Sequence, residues 1–151
     1  MKIQKVTIHN FRSIKHQVID CNDFVLFVGE NNSGKTNIIT ALRAFYENEG
    51  YKYDKTSDFP KLPDLSDSES WLELEFITTD EEQAKIKDEY KRDDNILTVR
   101  RYFESHDKVK INKDNSNIFY VSKDGSISEN NFYGAKNVSQ AKLGKIIYIP
   151  E

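Results

Sequence analysis

The sequence predicts an α/β protein with a β-rich antiparallel subdomain, and three observations carry that reading. Phe24-Val25-Leu26-Phe27-Val28 is a continuous apolar run of aromatic and β-branched residues, suited to a central strand buried on both faces. From Lys35 the apolar spacing changes: Ile38, Ile39, Leu42 and Phe45-Tyr46 recur at helical intervals. Farther along, Trp71 to Ile77 alternates cleanly, and Ile96 to Phe103 reads as another strand.

The elements follow in order. Ile3, Val6 and Ile8 among Lys5, Thr7 and His9 make an imperfect alternation, the mark of a half-buried strand. Asn10 to Lys15 reads as a turn into a second short strand, His16 to Ile19, which Asn22-Asp23 ends. The apolar run 24–28 comes next, then a polar loop bounded by Gly29 and Gly34, then the helix, which Asn48-Glu49-Gly50 should stop. These parts form a core over residues 1–50. Residues 51–70 hold Asp54, Asp58, Asp64, Ser66, Asp67 and Ser68 with Pro60 and Pro63, and read as a long, mobile surface loop. A β-rich subdomain should occupy about 71–145. It contains a polar helix from Thr79 or Asp80 to about Lys91 and strands at Val109–Ile111 and Ile118–Val121. A tight turn at Lys123-Asp124-Gly125-Ser126 and a short helix within Phe132–Leu143 complete it. A last apolar strand, Ile146-Ile147-Tyr148-Ile149, runs into Pro150-Glu151.

Composition narrows the classes. The 151 residues are the length of one ordinary domain, 31% charged and 37% hydrophobic, with Lys+Arg 22 against Asp+Glu 25. A net charge of -3 advertises no general basic footprint, although a local patch can sit inside a near-neutral total. Cys21 is the single cysteine and can form no internal disulfide, which fits a reducing compartment. Neither a secretory signal nor a membrane span is legible, so a cytoplasmic location is expected.

The chemistry lies in Gly29-Glu30-Asn31-Asn32-Ser33-Gly34-Lys35-Thr36, which fits G-x-x-x-x-G-K-[ST] at every fixed position. Gly29 and Gly34 let the backbone curl and approach a phosphate without an intervening Cβ. Successive N–H groups of Asn31, Asn32 and Ser33 form an anion nest, and the helix opening near Lys35 adds its positive dipole end. Lys35 should reach the β- and γ-phosphates, Thr36 should offer its hydroxyl to Mg²⁺, and Asn37 follows in the same first turn. ATP, or a close nucleotide, with Mg²⁺ is the expected ligand.

With this loop in place, Val6-Thr7-Ile8-His9-Asn10-Phe11-Arg12-Ser13-Ile14 followed by Phe27 to Thr36 resembles the start of an ABC-type P-loop ATPase. More narrowly, the "NFRS" element and the "GxNxSGKT" loop are similar to the RecF, SMC and OLD (overcoming lysogenization defect) group. The resemblance is strong over residues 1 to about 46. The closing Ile-Pro-Glu at 149–151 is similar to the strand that carries the Q-loop position in RecF- and OLD-like proteins. The resemblance implies a P-loop NTPase fold, here the N-terminal lobe of an ABC ATPase head. It also implies ATP-driven closure against a second head (homodimer or higher oligomer) and work on DNA, in repair or phage defence. In OLD proteins a Toprim endonuclease follows the ATPase. By the same resemblance Arg12 lies near the nucleotide phosphates, and Glu151 helps position Mg²⁺ or the attacking water alongside Lys35 as a catalytic group.

The departures are equally legible. No apolar strand closes on paired acids: Asp93-Asp94 precedes a strand rather than following one. Signature, Walker B and switch-His motifs are missing, so the chain should be an N-terminal lobe of a longer protein and a poor ATPase alone. A nucleotide-gated tethering module is the alternative, and a P-loop kinase or GTPase ranks last. Other candidates stay bland. His9, His16 and His106 are scattered, with no metal-ligand spacing. The charges of 81–94 read as a solvated helix. Arg12 reads equally as a solvated turn residue, and Glu151 as a terminal carboxylate. Arg100-Arg101-Tyr102 with Lys108 and Lys110 reads either as a DNA face or as ordinary alternation.

Overall fold

The computed structural model describes residues 1–30, 34–61, 66–134 and 143–149. Within them lie β1 (Lys2–Phe11), β2 (Ile14–Asp20), α1 (Lys35–Tyr46), α2 (Lys55–Asp58), β3 (Ser70–Ile77), α3 (Asp80–Lys85), β4 (Ile96–Glu104), β5 (Ile118–Val121) and β6 (Ile127–Asn131). The described strands form one sheet in the order β2-β1-β3-β4-β5-β6, antiparallel throughout.

Alternation decides the two faces. Val6 pairs with Leu74 and Ile8 with Leu72; Leu74 pairs with Val99 and Phe76 with Leu97. All of these side chains therefore stand on one face, where they meet Ile38, Ala41, Ala44 and Phe45 of α1 in the main core. Each such burial contributes about 1.5–3 kcal/mol. The i, i+3 spacing of 38, 41 and 44 is what turns one stripe of α1 toward the sheet. On the other face Trp71, Tyr102 and Phe119 form a smaller cluster, which Ile111 and Ile127 cover.

Arg101 stands on the core face, 8% exposed. Its guanidinium donates to the carbonyl of Phe45 and, at 2.7 Å, to Glu47 Oε1. A cation thus closes the carboxyl end of α1, where free carbonyls concentrate negative potential. Burial lowers the Arg101 pKa, and the charge of Glu47 works against that shift.

Several expectations need correction. Phe24–Val28 is not a buried strand: it lies outside the sheet, with Phe24 78%, Leu26 69% and Val28 82% exposed. An apolar run is buried only where neighbouring strands and the layers over them cover it, and among the described residues no strand pairs with it. Residues 146–149 are likewise not a strand, and Ile147 and Ile149 are exposed. Val109–Ile111 is a turn, in which Asp107 accepts from the amides of Val109, Lys110 and Ile111. The polar helix starts as expected, with Thr79 and Glu82 in a reciprocal capping box, but stops at Lys85. Ile86 is extended and drops into the core with Tyr90, which ends the helix before Lys91. Residues 51–61 are not merely a surface loop, because they form α2 and bury Asp58 completely. Strand β6 had no apolar signal; its backbone pairing with β5 supplies it. A short 3-10 turn occupies Phe132–Gly134, and the rest of the helix expected there falls on residues 135–142, outside the described ones.

Candidate functional site

The site is built where the β1–β2 hairpin tip meets the start of α1. Phe11 pairs with Ile14, so Arg12 and Ser13 form a two-residue connection, with Arg12 in the left-handed region at φ 52°. Gly34 precedes α1 at φ 92° and ψ 0°, a conformation that glycine adopts without Cβ strain. A Cβ there would sit 3.7 Å from Ser13 Oγ, ordinary contact, so backbone geometry rather than crowding makes glycine necessary. Asn37, in the first turn of α1, bridges to the tip: its Nδ2 donates to Ser13 Oγ at 2.8 Å, and its Oδ1 accepts from Arg12 Nη1 at 3.4 Å.

Lys35 folds back over the loop. Its ammonium donates to the carbonyl of Gly29 and, at 2.7 Å, to that of Glu30. The cation thus lies across the loop mouth, and Thr36 is exposed in the first turn beside it. A cleft of about 550 Å³ opens here, with Ser13, Lys15, His16 and Gln17 on one wall and Leu26, Val28, Gly34 and Lys35 on the other. Asn31, Asn32, Ser33 and Glu151 lie outside the described residues.

Arg12 is not a free surface cation. Nε donates to Asp58 Oδ1 at 2.9 Å and Nη2 to Tyr51 Oη at 3.2 Å, while the Arg12 amide donates to the Asp58 carbonyl at 2.6 Å. Burial alone would lower the Arg12 pKa; the hydrogen bond it donates to Asp58 and the surrounding charges outweigh it and raise the pKa. Asp58 and Tyr51 therefore belong to the site, although nothing in 51–70 marked them. The nearest signal is Asp54, which caps α2 by accepting from the amides of Thr56 and Ser57.

One other sequence reading changes, and one left open between two alternatives is decided for alternation. His9 and His16 are not scattered: they face each other across β1 and β2, Nδ1 to Nδ1 at 3.0 Å, with His9 Nε2 2.7 Å from Asp67 Oδ2 and its ring stacked on Trp71. Among the described residues no group of three or more His, Cys, Asp or Glu is arranged to hold a metal ion. The 100–102 segment is split between faces rather than forming one basic surface. Arg100 lies over the Trp71 ring at 3.8 Å and pairs with Glu73, whereas Arg101 is buried on the opposite face.

Residues 1–148 match the family model for the AAA ATPase domain. The chain belongs to this family. Its fold is accordingly that of a P-loop NTPase, mixed α/β with an antiparallel sheet. This AAA ATPase domain is 50% identical over 46 residues to an uncharacterised protein of Methanocaldococcus jannaschii, covering 30% of the chain and 14% of that protein. It is 35% identical over 60 residues to the DNA replication and repair protein RecF of Rickettsia felis, covering 39% and 16%. RecF of Rickettsia prowazekii matches likewise, at 35% over 60 residues, covering 39% and 17%. The matched segments thus span about one sixth of these relatives' own lengths or less. A solved chain from work on ATP-driven dimerisation and DNA-stimulated activation of SMC ATPases covers 85% of this chain and 68% of its own, at TM-score 0.48 and 18% identity. No helix among the described residues is long and apolar enough to cross a membrane.

The donor set of the AAA ATPase domain fits a nucleoside triphosphate with Mg²⁺. Glycine occupies the left-handed position before α1, a lysine ammonium lies across the loop mouth, and a threonine hydroxyl is exposed in the first turn.

Proposed function

We propose that this chain is the N-terminal, nucleotide-binding lobe of an ABC-type ATPase head of the RecF/SMC-like group. It binds ATP·Mg²⁺ and takes part in ATP-driven association with a second head that acts on DNA. The observation that carries the reading is Lys35 lying on the Gly29 and Glu30 carbonyls beside a left-handed Gly34. Carbonyls are weak partners for an ammonium compared with phosphate, so a triphosphate in the loop would draw Lys35 away to its β- and γ-oxygens. Gly29, Gly34 and the backbone of Asn31, Asn32 and Ser33 would surround the phosphates, and Thr36 would hold the Mg²⁺. Asn37 holds the hairpin tip against the loop. The cleft wall from Ser13 to Gln17 would receive the nucleoside portion.

The bound Mg²⁺ would supply charge neutralisation between the β- and γ-phosphates. This lobe's own residues bind and orient the nucleotide. Asp93 and Asp94 sit in the turn before β4, not at the end of a strand beside the loop, so they offer no base for water. Glu151 is the acidic residue assigned to Mg²⁺ or water, in a Q-loop-like segment 145–151. The exposed runs 24–28 and 146–149 support a lobe whose central sheet is completed by further strands. A finer assignment, to the OLD branch with a Toprim endonuclease and a role in phage defence, rests on the resemblance carried by the "NFRS" element, the "GxNxSGKT" loop and Ile149-Pro150-Glu151. A cytoplasmic setting rests on the single Cys21.

Calorimetry with a non-hydrolysable ATP analogue and Mg²⁺ tests the core of the proposal. Lys35→Ala should abolish binding and leave the fold intact; unchanged affinity would refute the nucleotide reading. Turnover of ATP by this lobe alone should stay at background.

A further inference from the structure

Asp58 is a fully buried carboxylate, 46 residues from the arginine it holds. Both of its oxygens are engaged: Arg12 Nε donates to Oδ1 at 2.9 Å, the Tyr51 hydroxyl lies 2.9 Å from each oxygen, and the Asp54 amide donates to Oδ2 at 3.0 Å. A buried acid held this tightly is a fixed point, not an adaptable one. The other two nitrogens of Arg12 are held differently. Nη1 meets Asn37 Oδ1 only at 3.4 Å, and Nη2 meets the Tyr51 oxygen at 3.2 Å. Both partners are neutral, and both contacts are long.

We propose that Asp58 and Tyr51 are positioning residues for Arg12: Asp58 grips the guanidinium by Nε, and Tyr51, which donates to Asp58 and accepts from Nη2, steadies that grip, so that Nη1 faces an anion at the start of α1. The inference rests on the reading of the loop as a triphosphate site. A phosphate oxygen carries the charge opposite to the guanidinium, as the Asn37 amide oxygen does not, so Nη1 would exchange its long contact with Asn37 for a phosphate oxygen. The Nε–Asp58 contact is itself charge-assisted and would remain. The planar fork makes this division possible, because Nε and Nη2 can be anchored while Nη1 stays directed elsewhere. An arginine at a hairpin tip otherwise samples many rotamers, and freezing one on binding costs affinity. Segment 51–58 thereby becomes part of the phosphate-recognition apparatus without touching the nucleotide.

The test is a mutant cycle on the intact protein, read as calorimetric affinity for Mg²⁺ with a non-hydrolysable ATP analogue and, separately, with ADP. Arg12→Gln should weaken analogue binding about tenfold. Asp58→Asn should reproduce most of that loss, and the double variant should bind no worse than Arg12→Gln alone. ADP should be affected less than the triphosphate analogue in every variant. A folded Asp58→Asn that binds like wild type would overturn the inference, as would a loss undiminished in the Arg12→Gln background. If Asp58→Asn fails to fold, Tyr51→Phe carries the same test: a two- to threefold loss, absent when Arg12 is already Gln, is expected. An equal loss in both backgrounds would overturn the proposal. Lys35→Ala separates the two layers. If it abolishes binding while Asp58→Asn and Tyr51→Phe are inert, only the positioning role fails; if Lys35→Ala binds normally, the nucleotide reading itself fails.

Discussion

In β3, Leu72, Leu74 and Phe76 are between 0% and 3% exposed, whereas Phe24, Leu26 and Val28, ahead of the phosphate loop, are 78%, 69% and 82% exposed. The residues are large and apolar in both segments, of types that suit a strand in both. What differs is the neighbours. β3 lies between β1 and β4, with ladders on both edges and α1 over one face. The run 24–28 has no ladder among the described strands. Apolar composition therefore states what a segment needs, and the surrounding chain decides whether the need is met. The sheet half satisfies its own demand. The loop half satisfies its polar contacts, through Lys35, Asn37 and Arg12, but leaves apolar surface open.

The comparison predicts unequal sensitivity to substitution. Leu74→Ala removes a side chain at the centre of the sheet's core face and should cost about 2–5 kcal/mol, visible as a lower urea midpoint at unchanged slope. A cost under about 1 kcal/mol would mean that the sheet half is as loosely held as the loop half. Arg101→Met comes next. It keeps the aliphatic stem but leaves the Phe45 carbonyl uncapped and Glu47 without its partner. About 1–3 kcal/mol should be lost, concentrated at the carboxyl end of α1, and hydrogen exchange of residues 43–47 would report it. Loss spread evenly over the sheet would contradict the capping role.

Much of this contrast was legible beforehand, and its gaps have physical causes. Alternation located β1 and β3, each with one face on the main core, and strand-favouring residue types located β4. The change of period at Lys35 located α1, and the octapeptide located the loop, since both depend on residues close in sequence. Asp58 was hidden because an acidic residue among Asp54, Asp64 and Asp67 reads as solvated, and contact with Arg12, Tyr51 and the Asp54 amide makes its burial tolerable. The polar β6 was hidden for a related reason: Ile127-Ser128-Glu129-Asn130-Asn131 is a strand because β5 offers it an edge. The run 24–28 failed in the opposite direction, its local signal being strong although none of the described strands pairs with it.

The smallest expected effect sharpens the comparison most. Leu26→Ser exchanges an apolar side chain that is already 69% exposed. Little apolar surface returns to water, so urea stability of this lobe by itself should change by no more than about 0.5 kcal/mol. Its tendency to self-associate should fall, because an exposed apolar strand is a template for pairing. In an assembled ATPase head, with strands flanking 24–28, the same substitution would introduce a buried hydroxyl and should cost about 1–3 kcal/mol. Equal costs in the two settings would mean that 24–28 stays exposed throughout, and the contrast between the halves would then belong to the whole protein. A cost that appears only on assembly would locate the missing neighbours of the loop half in the completed head.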